Sequence, residues 1–420
     1  MSDSRRPRAA ILAFVAQPNL GSEYEVGWRW PFLATGAVRP YVVSRLECWR
    51  ALPGRSRRVG GLQIKSIDGV AFVAIDVSFG PRFFRGRRLT RTHYLIWQIM
   101  VLFWLRSNRS KFDLVHHVNF VAAWFPPLAP LSGIPFVWGP IGTNPPMPKF
   151  YRDRLPLEAK ARAAVRTFVT QSMVRWNPLY LIVAPRCRAA FAISEHVRGL
   201  LPEGLRERTQ VHPGIAIDPS WFQTAQGSVS TNETLLYVGR AMDIKLPRLA
   251  YRVAADAIRE RPGVNAVFVG EGLPALLAGE LANPRIEVRE HMAQDAVRAL
   301  YRSAAVFLFP SVEASGFVTL EALANGLPVA CLEGSGAAYF AGPDNPMTVT
   351  SEGDWSDVQS RLSESIVAYL NEAARGDMSE ACKARAHLFM WESYRPFLEK
   401  FYADARSPRW RDRTKSIHAK

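Results

Sequence analysis

Phe307-Leu308-Phe309-Pro310-Ser311-Val312-Glu313-Ala314-Ser315-Gly316-Phe317-Val318-Thr319-Leu320-Glu321-Ala322-Leu323-Ala324-Asn325-Gly326-Leu327-Pro328-Val329 passes through three kinds of local structure. The apolar run Val306–Phe309 has the length and composition of a buried strand. Pro310 ends it, and the loop that follows contains Glu313 and reaches Gly316. A helical pattern then carries Glu321, and Gly326-Leu327-Pro328 stops that helix and opens the next strand, Pro328–Cys331. Strand, helix and strand in this order make a βα repeat of a parallel sheet.

The same alternation extends in both directions. Strands are predicted at Ala9–Ala16, Tyr41–Ser44, Leu62–Ile67, Leu114–His117, Phe136–Trp138 and Ala190–Ile193 in the first half, with longer helical patterns between them. In the second half they are predicted at Leu235–Val238, Ala266–Val269, Ile286–Val288, Val306–Phe309 and Pro328–Cys331. A chain of 420 residues exceeds the usual single core, so two domains are expected. His212-Pro213-Gly214 closes a short strand and Gly227–Asn232 is polar and turn-rich, which puts the boundary at 218/219. The expected fold is α/β, with two doubly wound Rossmann-like domains, 1–218 and 219–388, facing a central cleft. Ligands of open α/β sheets bind beyond the strand C-termini, so the loops after strands are the ones to search.

Composition narrows the classes. With 48% hydrophobic and 21% charged residues, the chain reads as folded rather than disordered. Cys48, Cys187, Cys331 and Cys382 are scattered, without the close pairing of a zinc ribbon or a redox site, and free buried thiols in a reducing compartment are expected. The apolar run Ala9–Ala16 reads as a first strand and not as a signal peptide. Tyr94–Leu105 is shorter than the roughly 20 residues needed to span a bilayer. These features imply a cytoplasmic protein without a transmembrane segment.

The net charge of +16 calls for an anionic partner. Residues 81–111 hold eight Lys/Arg and no Asp/Glu, interleaved with Phe83, Phe84, Trp97, Phe103 and Trp104. Arg82, Arg85, Arg87 and Arg88 lead that run, and Arg406, Arg409, Arg411, Arg413 and Lys415 form a second basic group in the tail 406–420. Cations gain near anionic headgroups and aromatics favour the interface, so an anionic membrane is the expected partner, with the protein peripheral on the inner face of the plasma membrane. No nucleic-acid motif accompanies the charge, so nucleic acid is not expected.

Several residues have the chemistry of a ligand site. Glu313 lies in a loop after a strand and Glu321 on the helix that follows, so the two can address opposite ends of an extended ligand. A carboxylate suits a ribose diol, and backbone N–H groups at a helix start suit a diphosphate; a sugar nucleotide carries both. At Tyr237-Val238-Gly239-Arg240-Ala241-Met242-Asp243-Ile244-Lys245 a strand ends in Gly239 and delivers Arg240 and Lys245, whose charges can neutralise a diphosphate leaving group. The sequence has no Asp-x-Asp, so no metal and no cofactor are expected. Val269-Gly270-Glu271-Gly272 and Gly334-Ser335-Gly336 are further glycine turns after strands. In the first half, Gly21 and Ser22 open a helix after the first strand, with Glu23 and Glu25 beside them. His116 and His117 leave a strand on opposite faces, so only one of them can enter a cleft, and which one stays open.

The stretch 313–329 resembles the retaining GT-B glycosyltransferases of glycosyltransferase family 4, whose signature is Glu-x7-Glu followed by Ala-x-Ala-x-Gly-x-Pro-Val. Ala322, Ala324, Gly326, Pro328 and Val329 occupy that pattern here. The resemblance implies that Glu321 holds the ribose and that Glu313 lies at the donor sugar. It also implies that the backbone of Gly316, Phe317 and Val318 approaches the sugar or the diphosphate, with Gly270 flanking the base. Glycine usually follows the lysine in this family, where this chain has Leu246. Gly21-Ser22-Glu23 is similar to a first-loop variant of bacterial polysaccharide transferases, facing the donor phosphates. Asp113-Leu114-Val115-His116 and Trp138-Gly139-Pro140-Ile141-Gly142 resemble further family segments, as do Ala192–Glu195 and His212–Asp218. A histidine near His116 and His117 contacts the donor sugar in relatives. Phe389–Tyr394 with Phe401-Tyr402 resembles a C-terminal helix, 389–405, that crosses back to the first domain. The implied activity is metal-independent, retaining transfer of a hexose to a saccharide or polyprenyl-linked acceptor in bacterial polysaccharide or glycolipid synthesis. A sugar-nucleotide epimerase or hydrolase on the same scaffold is the rival reading, and a nucleic-acid-binding protein a remote one.

Overall fold

The computed structural model describes residues 6–18, 20–59, 62–76, 90–120, 122–222, 233–280, 282–371 and 375–406. Arg82, Phe83, Phe84, Arg85, Arg87 and Arg88 lie outside the described residues, as do Gly227–Asn232, Arg409, Arg411, Arg413 and Lys415. The chain divides into two compact units. One comprises the described residues within 1–143, 168–215 and 391–420; the other comprises those within 144–167 and 216–390.

The first unit is built on a nine-stranded sheet of β1 Arg8–Ala13, β2 Arg39–Ser44, β3 Ser56–Val59, β4 Leu62–Ile67, β5 Val70–Ala74, β6 Leu114–Asn119, β7 Phe136–Ile141, β8 Cys187–Ala192 and β9 Thr209–Val211, in the order β3-β4-β5-β2-β1-β6-β7-β8-β9. Every residue of β6 and of β7 is buried, as expected of strands covered on both faces. On one face the helix Thr90–Ser107 turns Tyr94, Trp97, Val101 and Leu105 inward, a three-to-four spacing that makes one buried stripe. The helix Leu179–Arg186 adds Tyr180, Val183 and Ala184 to the same core. On the other face Ala13, Val42, Trp49 and Phe72 form a smaller cluster against Trp28 and Phe32.

The second unit holds a six-stranded parallel sheet of β10 Thr234–Val238, β11 Asn265–Val269, β12 Ile286–Arg289, β13 Val306–Leu308, β14 Val329–Leu332 and β15 Thr348–Val349, in the order β12-β11-β10-β13-β14-β15. The helix that follows β10 is amphipathic. In Pro247–Glu260 the buried side chains include Leu249, Tyr251, Val253, Ala254, Ala257 and Ile258.

All the strands expected from sequence are present, and two expectations need correction. The edge of the first sheet is not parallel: β3 and β5 both run antiparallel to β4. Asp68 and Gly69, at φ 45° and 82°, make the two-residue turn that folds β5 directly back on β4, and so short a link permits only antiparallel pairing. Residues 144–167, expected within the N-terminal domain 1–218, cluster with the second unit, because Tyr151 and Arg154 pack on Trp355 there. The helix opened by Gly21-Ser22 begins at Ser22 with Gly21 in the cap position at φ 99°, and no side chain bonds that end at the cap. The helix Arg395–Arg406 clusters with the first unit. All four cysteines are free and buried. No helix among the described residues is long and apolar enough to cross a membrane.

Candidate functional site

The loop after β13 is shaped by Ser311. Its hydroxyl accepts the Glu313 N–H at 3.1 Å and donates to the Ile244 carbonyl at 3.2 Å, and the Val312 N–H reaches the same carbonyl at 2.9 Å. This ties the loop to the short 3₁₀ turn Asp243–Lys245 after β10. The Lys245 ammonium then meets the Glu313 carboxylate at 2.6 Å, with the two side chains 12% and 20% exposed. The same ammonium lies 5.0 Å from the Phe309 ring centroid. A charge-assisted bond in so dry a place holds both groups in one geometry. Arg240 is exposed and has no carboxylate partner among the described residues.

Leu246 sits at φ 49°, ψ 46°, the left-handed region that favours glycine. That conformation costs a non-glycine residue roughly 1–2 kcal/mol. The side chain is fully buried, and burying a leucine returns about 1.5–3 kcal/mol, so a leucine can stand where the resembled family places glycine.

Two glycines allow contacts that no other residue could. A Cβ on Gly270 would lie 2.0 Å from the Gly239 carbonyl oxygen, so the turns after β10 and β11 abut backbone to backbone. A Cβ on Gly336 would lie 2.7 Å from the Ala314 carbonyl carbon, and the Gly336 N–H donates to the Glu313 carbonyl at 2.7 Å. The Gly334-Ser335-Gly336 turn therefore buttresses the Glu313 loop, while Ser335 caps its own helix by accepting the Ala338 N–H. A Cβ on Gly239 would meet the Lys245 side chain at 3.1 Å. Gly316 precedes the helix Phe317–Ala324, whose first N–H groups, those of Phe317 and Val318, are the ones a helix leaves unbonded.

Glu321 belongs to a separate network. Tyr301 donates to its carboxylate at 3.1 Å, Tyr301 packs on Phe307 and Trp221, and the Arg298 guanidinium lies 4.3 Å over the Trp221 ring. Burial pushes the Glu321 carboxyl up to about 7, against the lowering effects of Tyr301 and Arg298.

Sequence reasoning did not single out Tyr301, Arg298, Trp221, Asn144 or Arg166. Tyr301 and Arg298 stand three apart on the helix Gln294–Ser303, a spacing that carries no signal until the helix is docked. Asn144 accepts the Ala314 N–H at 3.2 Å. Arg166, whose guanidinium is lowered by desolvation, feels Asp243 and Glu313. Both belong to the segment 144–167 that was assigned to the other domain.

In the first unit, Gly27 and Asn119 lock the Gly21 loop. A Cβ on Gly27 would lie 2.0 Å from the Val15 carbonyl oxygen, and the Asn119 amide donates to the carbonyls of Val15 and Glu23. Glu25 pairs with Arg29 at 2.7 Å. Both strand histidines are buried, because β6 is covered on both faces. His116 bonds the Gly139 carbonyl through Nε2 and Tyr402 through Nδ1, and desolvation pulls it down to about 4. His117 bonds Tyr94 through Nε2, leaves Nδ1 without a partner, and is pulled down to about 3, mainly by burial. Neither ring is exposed, so the expectation that one of them opens from this strand is not met in the described residues.

Residues 232–366 match the profile of the family described as "Glycosyl transferases group 1". A D-inositol 3-phosphate glycosyltransferase of Mycobacterium avium (strain 104) is 28% identical over 225 residues, 47% of this chain and 51% of the relative. The chain spans about half the length of the curated relatives it matches. Among solved structures, an alpha,alpha-trehalose-phosphate synthase (UDP-forming) from Burkholderia vietnamiensis superposes with a TM-score of 0.63 at 12% identity, over 96% of this chain and 97% of that one. Anabaena Alr3699/HepE in complex with UDP and glucose superposes with a TM-score of 0.56 at 15% identity, over 95% and 99%. The chain thus has the GT-B fold, and its second unit carries the segment that the group 1 glycosyltransferase profile matches.

Proposed function

We propose that this protein is a retaining, metal-independent glycosyltransferase of the family 4 type, which moves a hexose from a nucleotide-sugar donor to a saccharide or lipid-linked saccharide. The observation that carries the reading is the Lys245–Glu313 pair held by Ser311, one loop before a helix that presents Glu321 from a desolvated pocket. The profile match covers all of these residues, and one structural neighbour holds UDP and glucose. Glu321 accepts the ribose hydroxyls, and the N–H groups of Phe317 and Val318 receive diphosphate oxygens. Glu313 positions the sugar, while Lys245 and Arg240 stabilise the charge that gathers on the leaving diphosphate. The acceptor oxygen attacks the anomeric carbon from the face that the diphosphate leaves, and its proton passes to the departing phosphate oxygen. An anionic membrane is the partner that this reading gives to the basic charge.

The test is a melting-temperature series with UDP, ADP and GDP, followed by transfer assays with the sugar nucleotides of the base that binds. One diphosphate should raise the melting temperature, and Glu321→Ala should weaken its binding by about 1–3 kcal/mol. Glu313→Gln and Lys245→Ala should lower turnover far more than folding stability. Full activity in either variant, or no shift with any nucleotide, defeats the assignment.

A further inference from the structure

Tyr301 is 1% exposed, with its ring against Phe307 at 5.6 Å and Trp221 at 6.2 Å. A ring packed on both sides cannot follow a moving carboxylate, so its hydroxyl fixes where the Glu321 carboxylate stands. Burial, and after it the neighbouring Glu321, push that hydroxyl well above its ordinary value of 10. It keeps its proton, so the 3.1 Å bond runs one way: Tyr301 donates and Glu321 Oε2 accepts. Arg298 stands three residues earlier on the same helix, with its guanidinium 4.3 Å over the Trp221 ring. Its Nε is buried without a hydrogen-bond partner among the described residues. The ring beneath it and the charge of Glu321 therefore hold this guanidinium, rather than a bond from Nε.

Glu321 Oε1 accepts no hydrogen bond among the described residues. An ionised carboxylate has about four acceptor positions and Tyr301 takes one, which leaves room for the two hydroxyls of a vicinal diol. A protonated carboxyl would spend one oxygen on its own proton. Burial favours that protonated form, and Tyr301 and Arg298 oppose it. The described side chains on the other elements packed against Phe317–Ala324 turn elsewhere: Lys383 pairs with Glu380, Arg385 lies beside Tyr339, and His387 stacks on Phe222. Cys331 of β14 meets Thr348 at 3.5 Å.

We infer that Tyr301 and Arg298 are positioning residues that set the ribose selectivity of the donor site, acting on the nucleotide only through the orientation and charge of Glu321. This rests on the role proposed above for Glu321. Calorimetric titration of the full chain with UDP, ADP and GDP, and with the 2′-deoxy form of each, tests it. The ratio of ribo to deoxy affinity cancels the titration of the phosphates that both forms share. Wild type should prefer the ribonucleotide by about tenfold at high pH, and the preference should shrink as the pH falls through about 7. Tyr301→Phe keeps the ring and removes the donor, so the preference at neutral pH should fall severalfold and its midpoint should move to higher pH. Arg298→Gln should act in the same direction, and Arg298→Lys should restore the wild-type midpoint. A purely structural role would lower the melting temperature and leave the ribose preference and its pH profile unchanged. That outcome in folded Tyr301→Phe and Arg298→Gln overturns the inference; if Tyr301→Phe does not fold, the Arg298 variants decide. Equal loss in Arg298→Gln and Arg298→Lys overturns the part given to the arginine's charge. Binding without any ribose preference in the wild type overturns the inference and the role of Glu321, while leaving a diphosphate site. Failure to bind all six nucleotides defeats the donor reading itself, and this inference with it.

Discussion

Leu246 and Glu321 each sit where the surroundings, and not the residue's own preference, set the state. Leu246→Ala removes buried methyl groups and keeps the left-handed backbone, whereas Leu246→Gly removes one carbon more and relieves the strain. The glycine variant should therefore be the less destabilised by about 1 kcal/mol, the reverse of the order inside a helix, where glycine is the poorer residue. Chemical denaturation of the two variants decides, and an alanine variant as stable as the glycine one would contradict the left-handed assignment. For Glu321, a carboxyl raised from an ordinary value of 4.5 to about 7 binds its proton more readily in the folded state. Its contribution to stability is fullest below 4.5 and is lost as the pH rises through about 7. Glu321→Gln cannot ionise, so its stability should decline less across that window. Parallel unfolding midpoints for wild type and variant over the window would refute the desolvated carboxyl.

Among the elements, the turns after β10 and β11 show how a glycine can be required by packing alone. Gly270→Ala would press a methyl group into the Gly239 carbonyl oxygen, 2.0 Å away, and both partners are backbone. The expected loss is about 1–3 kcal/mol of stability, together with weaker nucleotide binding as Arg240 and Lys245 shift. Gly279→Ala, where a Cβ meets nothing within 4 Å, is the matched control and should change little. Similar melting temperatures for the two variants would show that the turns can separate without cost. The Asp68-Gly69 turn makes a related point, since Asp-Gly between apolar runs was visible in the sequence and already specified antiparallel pairing for β4 and β5. Periodicity distinguishes strand from helix, but direction is carried by the connection.

At the scale of the whole molecule, cations outnumber acids by sixteen, and some of that excess gathers where the donor diphosphate is proposed to lie. Lys245, Arg240 and Arg166 can supply the charge that many transferases draw from a divalent ion. Transfer should consequently continue in excess EDTA. Activity abolished by chelation and restored by magnesium or manganese would overturn the metal-free mechanism. The division into two units also matters here, because the excursion of 144–167 brings Asn144 and Arg166 to the Glu313 loop of the second unit.

What the sequence determined by itself was local. Runs of Val, Ile, Leu and Phe between turn residues marked the strands, and Pro310, Gly316 and Gly326 marked the ends of the loop and helix that carry Glu313 and Glu321, because these signals act within a few residues. Lys245 was legible as a cation delivered by a strand end, but its bond to Glu313 was not. Only the folded chain decided that pairing, the Tyr301 and Arg298 setting of Glu321, the burial of both His116 and His117, and the change of unit at 144–167. Each depends on which elements come to lie side by side, and that is set by the packing of surfaces far apart in the chain, which no local pattern of residues encodes.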